Sequence, residues 1–242
     1  MSQPLIIYAP NVDHLITEDD EPVDNILSEK QQRLLTEPLY SSWQGPGDER
    51  TFVAMANVGI FYIAKNPPIV PDMFLSLDVE LPDDLWAKEH RCYFVWEYGK
   101  PPDVVVEVVS NTIGEELGEK LKKYATMRVV YYIVFDPEKQ LGKDVLKIYK
   151  LHGFKYRRQL SRKLDDVGLG LALWEGEYEG WKATWLRWTD MQGNLIATGR
   201  ESIQQARAEK EKERAEKEAA LERAEKLAAK LRELGHEPDK IR

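Results

Sequence analysis

The sequence predicts an α/β domain followed by a long charged helix, and three observations carry that prediction. The run Val104-Val105-Val106-Glu107-Val108-Val109 is β-branched on both faces, the pattern of a buried central strand. A helical pattern and a second apolar run, Val129 to Phe135, follow it, so strand, crossover helix and strand make a βαβ unit with parallel strands. From about Gly199 the chain is almost wholly Ala, Glu, Lys, Arg, Leu and Gln, without glycine or proline from Arg200 to Leu234.

Three segments result: an irregular arm over 1–25, a folded domain over 26–198 and a helical tail over 199–242. The arm mixes Pro4, Pro10 and Pro22 with the acidic run Glu18 to Glu21. Asn25 to Tyr40 has Ile26, Leu27, Leu34, Leu35 and Leu39 at helical spacing. Phe52 to Ala56 and Val58 to Ile63 read as strands, the second interrupted by Gly59. Asn66-Pro67-Pro68 is a turn, Ile69 to Leu77 a strand containing Pro71-Asp72, 79–92 a polar loop and Tyr93 to Glu97 a short strand. Thr112 and Glu115 have capping-box spacing and open a helix expected to end near Met127, with Ile113, Leu117, Leu121 and Tyr124 as its apolar stripe. Asp136-Pro137 stops the strand beyond it. Val145 to Leu151 and Phe154 to Leu160 form a hairpin around His152-Gly153, and the Gly- and Trp-rich segment 168–196 is expected to give short strands and turns. The tail helix is ~50 Å long at 1.5 Å per residue, stopped by Gly235 and Pro238. Leu221, Ala224, Leu227, Ala228, Leu231 and Leu234 give its last turns a short coiled-coil seam.

Bulk properties narrow the function. A net charge of −8 argues against a broadly basic, nucleic-acid-coating surface, yet leaves a nuclease open, because a local cleft and bound cations can do that electrostatic work. Cys92 is the one cysteine, which excludes an intramolecular disulfide framework and a cysteine-cluster zinc site. The opening residues lack the basic region and apolar run of a signal peptide, and no stretch reaches the ~18 apolar residues of a membrane span, so a cytoplasmic protein is expected.

The informative chemistry is a set of acids on strands. Asp103, Val105, Glu107 and Val109 share one strand face. An ionised carboxylate within a valine run is costly to bury unpaired. Glu107 therefore has either a metal or hydrogen-bond network to serve, or a lysine or arginine partner and no chemistry. Asp72 can bring a second carboxylate to the same point, and two oxygen donors suit Mg²⁺. Asp103, about 13 Å along the strand at ~3.3 Å per residue, reads as a turn or cap residue. His14, His90, His152 and His236 are scattered without metal spacing, and the tryptophans read as packing rather than base-stacking residues.

Pro71-Asp72, then Pro102-Asp103-Val-Val-Val-Glu107-Val-Val-Ser110, then Gly118-Glu119-Lys120-Leu121 with Tyr124, then Tyr132-Ile-Val-Phe-Asp136-Pro137 resembles the Uma-two family of candidate endonucleases. That family is common in cyanobacteria and belongs to the PD-(D/E)XK superfamily. The segment Leu169 to Trp188 and the tail through Gly235 resemble its cyanobacterial members too. The resemblance implies a restriction-endonuclease-like mixed sheet flanked by helices. It assigns Asp72 and Glu107 to the two acidic motifs. The superfamily's lysine two residues beyond the second acid is Val109 here, and the resemblance moves that role to Lys120 on the next helix. A lysine stem can snorkel from there to the strand end; the other reading is a surface lysine paired with Glu116 at i,i+4. Glu29 matches the acid many superfamily members place near the metal, or is simply a solvated charge. Arg128 stands where the family has a glycine.

The function implied is a metal-dependent endonuclease hydrolysing phosphodiester bonds of nucleic acid, DNA first. Asp72 and Glu107, with Glu29 as a third ligand, would hold Mg²⁺ or Mn²⁺, and Lys120 would orient the water or stabilise developing charge. The alternative is a catalytically idle nuclease-fold module that self-associates as a homo-oligomer through its C-terminal helix.

Overall fold

The computed structural model describes residues 25–43, 45–47, 50–110 and 116–234. The chain divides into two compact units, Met1–Ile196 and Ala197–Arg242.

The first unit opens with α1 (Ile26–Ser41), whose first amides bond to the Asn25 side chain. Its central sheet uses β1 (Phe52–Ala56), β3 (Met73–Leu77), β5 (Val104–Val108), β6 (Tyr131–Phe135), β7 (Leu146–His152) and β8 (Lys155–Gln159), in that spatial order. Only β5 and β6 run parallel, joined by the crossover that contains α3 (Glu119–Met127); every other pairing is antiparallel. This is a mixed sheet of the kind that the resemblance implies.

The valine run is buried on both faces. Val104, Val106 and Val108 join Met73, Leu75, Ile133, α1 residues Leu35 and Leu39, and Trp188 in one core. Val105 and Val109 join Phe74, Tyr132, Val134 and the α3 residues Tyr124 and Met127 in the other. Glu107 therefore emerges on the α3 side of a two-sided sheet.

Several segments depart from the pattern read along the sequence. Ile60–Phe61 (β2) is shorter than the strand expected over 58–63, and pairs in parallel with Tyr93–Phe94 (β4) as a separate two-stranded sheet. The expected strand 93–97 stops at Phe94 and turns into α2 (Val95–Tyr98), ended by Gly99 at φ 73°. β3 begins at Met73, because Pro71 has no amide to donate to a ladder. The polar loop holds a 3₁₀ turn, Lys88–His90. The segment expected to give short strands instead forms a long hairpin, β10 (Leu169–Tyr178) with β11 (Trp181–Thr189), extended by β9 (Lys163–Leu164). Its two-residue loop places Glu179 and Gly180 at φ 48° and 79°, the twist-matching conformation of tight hairpins. Gln31 exchanges two hydrogen bonds with the Leu186 backbone (2.8 and 2.9 Å), so α1 closes the free edge of β11.

α3 starts at Glu119 after a turn at 116–118; the expected capping box at Thr112 and Glu115 lies outside the described residues. Its end needs a left-handed residue, and Arg128 takes φ 75° there.

In the second unit α4 (Gly199–Glu233) starts at a complete capping box between Thr198 and Glu201. Lys217–Glu213 and Lys226–Glu222 pair along it at 2.9 and 2.6 Å. Gly235, Pro238 and the 1–24 arm lie outside the described residues. Among the described residues no helix is long and apolar enough to cross a membrane.

Candidate active site

Asp72 precedes β3, and the β3–β5 register pairs Met73 with Val106, so its next step sets Asp72 against Glu107. Antiparallel pairing thus brings two acids 35 residues apart in sequence to one end of the sheet. One oxygen of Asp72 accepts the Val108 amide at 2.7 Å, the other the Gln32 side-chain amide at 2.8 Å. Gln32 is itself fixed by a reciprocal side-chain pair with Asn57 (3.1 and 3.3 Å), and the Asn57 amide donates to the Asp72 carbonyl at 3.3 Å. Asn57 sits at φ 53°, a conformation asparagine tolerates better than most residues.

Glu107 is 1% exposed. The α3 positions 120 and 124, one turn apart, each serve one of its oxygens. Lys120 Nζ donates to Oε2 at 2.8 Å and the Tyr124 hydroxyl to Oε1 at 2.7 Å. Burial pushes the Glu107 carboxyl above the usual carboxylate range, against the opposing pull of Lys120 and Tyr124, and nearby Glu116 adds to the rise. Burial alone would lower the Lys120 ammonium, but Glu107 and Glu116 outweigh it and hold its pKa above the ordinary lysine value. Burial, then the Glu107 charge, raises Tyr124 well above a free phenol, so its hydroxyl stays a donor.

The residues singled out in the sequence separate as follows. Asp72, Glu107 and Lys120 sit together. Val109 is buried in the apolar core with Tyr124, and the ammonium that meets Glu107 comes from α3 instead. Lys120 also lies 3.8 Å from Glu116, farther than from Glu107. Glu29 is not brought to the site. Its half-exposed carboxylate binds Arg33 at 2.6 Å, and Arg33 continues to Glu179 at the hairpin tip. α1 turns Gln32 to Asp72, one turn beyond Glu29. Asp103 accepts the Leu77 amide and the Lys100 ammonium at the opposite end of β5.

A family model, Uma2, described as "putative restriction endonuclease", matches residues 19–168. The chain belongs to the Uma2 family. No curated protein matches it. The matched span runs through α1, the whole central sheet and α3, and it contains Gln32, Asp72, Glu107 and Lys120. β10, β11 and α4 lie beyond it. A nuclease-like function is what this family carries.

The structure adds Gln32, Asn57, Glu116 and Tyr124 to the residues that the sequence picks out. A signal existed for Gln32: Ser28, Gln31 and Gln32 are polar residues on the inward face of an amphipathic helix, and all three are buried. Buried amides there require partners.

Donor chemistry and the Lys120 contact both fit a divalent cation at this place. Asp72 and Glu107 supply oxygen donors only. The ammonium on Glu107 Oε2 already marks a position where positive charge is held. Among the described residues no three His, Cys, Asp or Glu are grouped to hold a metal. One or two carboxylates are the usual protein share for Mg²⁺, which keeps most of its water.

Proposed function

We propose that this chain is a divalent-metal-dependent endonuclease that hydrolyses phosphodiester bonds of nucleic acid, with DNA the first substrate to test. What supports the reading is one observation: Asp72, Glu107 and Lys120, from three separate elements, meet at one end of a buried sheet. Asp72 and Glu107 would hold Mg²⁺ or Mn²⁺. The chemistry such an ion supplies when bound is polarisation of the scissile phosphate and a lower pKa for the attacking water. Gln32 and the Val108 amide fix the Asp72 carboxylate, and Tyr124 fixes Glu107, so neither acid must reorganise during the reaction. Lys120 presents a charged ammonium to the phosphate oxygens as negative charge builds on them. Water oxygen bonds to phosphorus, one P–O ester bond breaks, and a phosphomonoester and a hydroxyl result.

Cleavage of plasmid and single-stranded DNA with Mg²⁺ or Mn²⁺ tests this. Asp72→Asn should abolish metal-dependent cleavage, and Lys120→Met should slow it by about 10²–10³-fold. Metal-dependent cleavage that survives both substitutions would assign the chemistry elsewhere.

A second reading has its own observation. Lys120 and Tyr124 already satisfy both oxygens of Glu107, as an ion pair without chemistry would, and Leu221, Leu227 and Leu234 are exposed along α4. An idle module self-associating through that helix fits these facts. Divalent-metal titration separates the two: binding lost in Glu107→Gln supports the nuclease.

A further inference from the structure

Glu116, in the turn ahead of α3, is 5% exposed, and its backbone carbonyl accepts the Tyr132 hydroxyl at 2.9 Å. Its Oε1 lies 3.8 Å from Lys120 Nζ. Its Oε2 is buried with no hydrogen-bond partner among the described residues. Buried carboxylate oxygens are normally satisfied, and one left without a donor calls for a reason. The nearest charge of opposite sign is an ammonium already committed to Glu107, 2.8 Å away.

Glu107 Oε2 faces two claims. In the structure the lysine holds it; a divalent cation held by Glu107 would compete with that lysine for the carboxylate. Two cations on one buried oxygen repel strongly, so Lys120 must either leave the site or find another anion within reach. We propose that Glu116 is that second anchor: it takes the Lys120 ammonium when a divalent cation claims Glu107. The contact needs to shorten by only about 1 Å, from 3.8 Å to an ordinary ion-pair distance, which a turn about the last lysine torsions supplies. The pair is already at i,i+4 spacing across the α3 start. Tyr124 stays on the other oxygen of Glu107 throughout. Glu116 is thus a positioning residue, keeping Lys120 charged and in place while the acids hold the metal. The proposal rests on the metal-dependent reading above.

The test is a double-mutant cycle read by Mn²⁺ affinity rather than by cleavage. Calorimetric titration of Mn²⁺ compares wild type, Glu116→Gln, Lys120→Met and the double variant, with circular dichroism confirming the fold of each. Removing an outer-sphere partner of this kind should weaken Mn²⁺ binding about tenfold in Glu116→Gln. Lys120→Met should bind at least as tightly as wild type, because the competitor is gone, and adding Glu116→Gln to it should then cost several-fold less than it costs wild type. A Glu116→Gln loss of equal size in both backgrounds would mean that Glu116 acts on the cation without Lys120 and would overturn the proposal; so would unchanged affinity in Glu116→Gln. Should that variant not fold, Glu116→Asp is compared in the Lys120 and Lys120→Met backgrounds by the same criterion. Mn²⁺ binding that Glu107→Gln does not remove would instead overturn the metal reading itself, and this proposal with it.

Discussion

Glu107 shows how burial works against a single charged residue. Its folded-state pKa lies above the unfolded value because burial penalises the carboxylate. Such a group contributes stability that is present below the unfolded pKa and lost as pH rises through the folded one. Glu107→Gln removes the charge, keeps an acceptor for Tyr124 and leaves Lys120 with Glu116. In chelator-treated protein it should therefore melt higher than wild type at pH 7, by about 1 kcal/mol, as removal of strained functional groups commonly does. The gain should shrink towards pH 4, where the wild-type carboxyl is protonated; a gain that grows on acidification would contradict the assignment. Residues of this sort are the ones a sequence exposes most readily. An acid inside a valine run announces itself, and Asp72 and Lys120 were legible once the motif order was recognised. Asn57 was not, since its role depends on meeting Gln32 from a distant part of the chain. Glu29 carried the expected charge but sits one turn too early and pairs with Arg33.

Among the elements, α3 has the plainest local conflict. It ends on Arg128 at φ 75°, a left-handed position that costs a side chain about 1–2 kcal/mol relative to glycine. The guanidinium stacks 4.6 Å from the exposed Phe154 ring, which returns part of that. Arg128→Gly should still stabilise the protein by about 0.5–1 kcal/mol, a rise of a few degrees in thermal midpoint. A fall would mean that the Phe154 contact outweighs the backbone strain. Elements with strong periodicity, α1, β5, β6 and the hairpin of β7 and β8, were readable from residue pattern alone. The β10–β11 hairpin was not, because Gly170 and Gly176 look like breaks. A side chain at Gly176 would collide with the Trp174 ring, and one at Gly170 with Thr189, so both glycines are there for close packing inside long strands. The helical turn after Phe94 was hidden for the opposite reason: Val95 and Trp96 favour strands, and the turn depends on Gly99.

For the molecule as a whole, the order β1-β3-β5-β6-β7-β8 could not be read from any local pattern, since it depends on which strands pair across long connections. That order is also what makes the site. It lays the end of β3 antiparallel to β5, so Asp72 stands opposite Glu107, and the parallel β5–β6 crossover carries α3 over the sheet, so Lys120 meets Glu107. The most direct test of this account is anomalous diffraction from crystals grown with Mn²⁺. A peak beside the Asp72 and Glu107 carboxylates is the predicted result; a difference map that is flat there, with Lys120 still bound to Glu107 at saturating Mn²⁺, would contradict it.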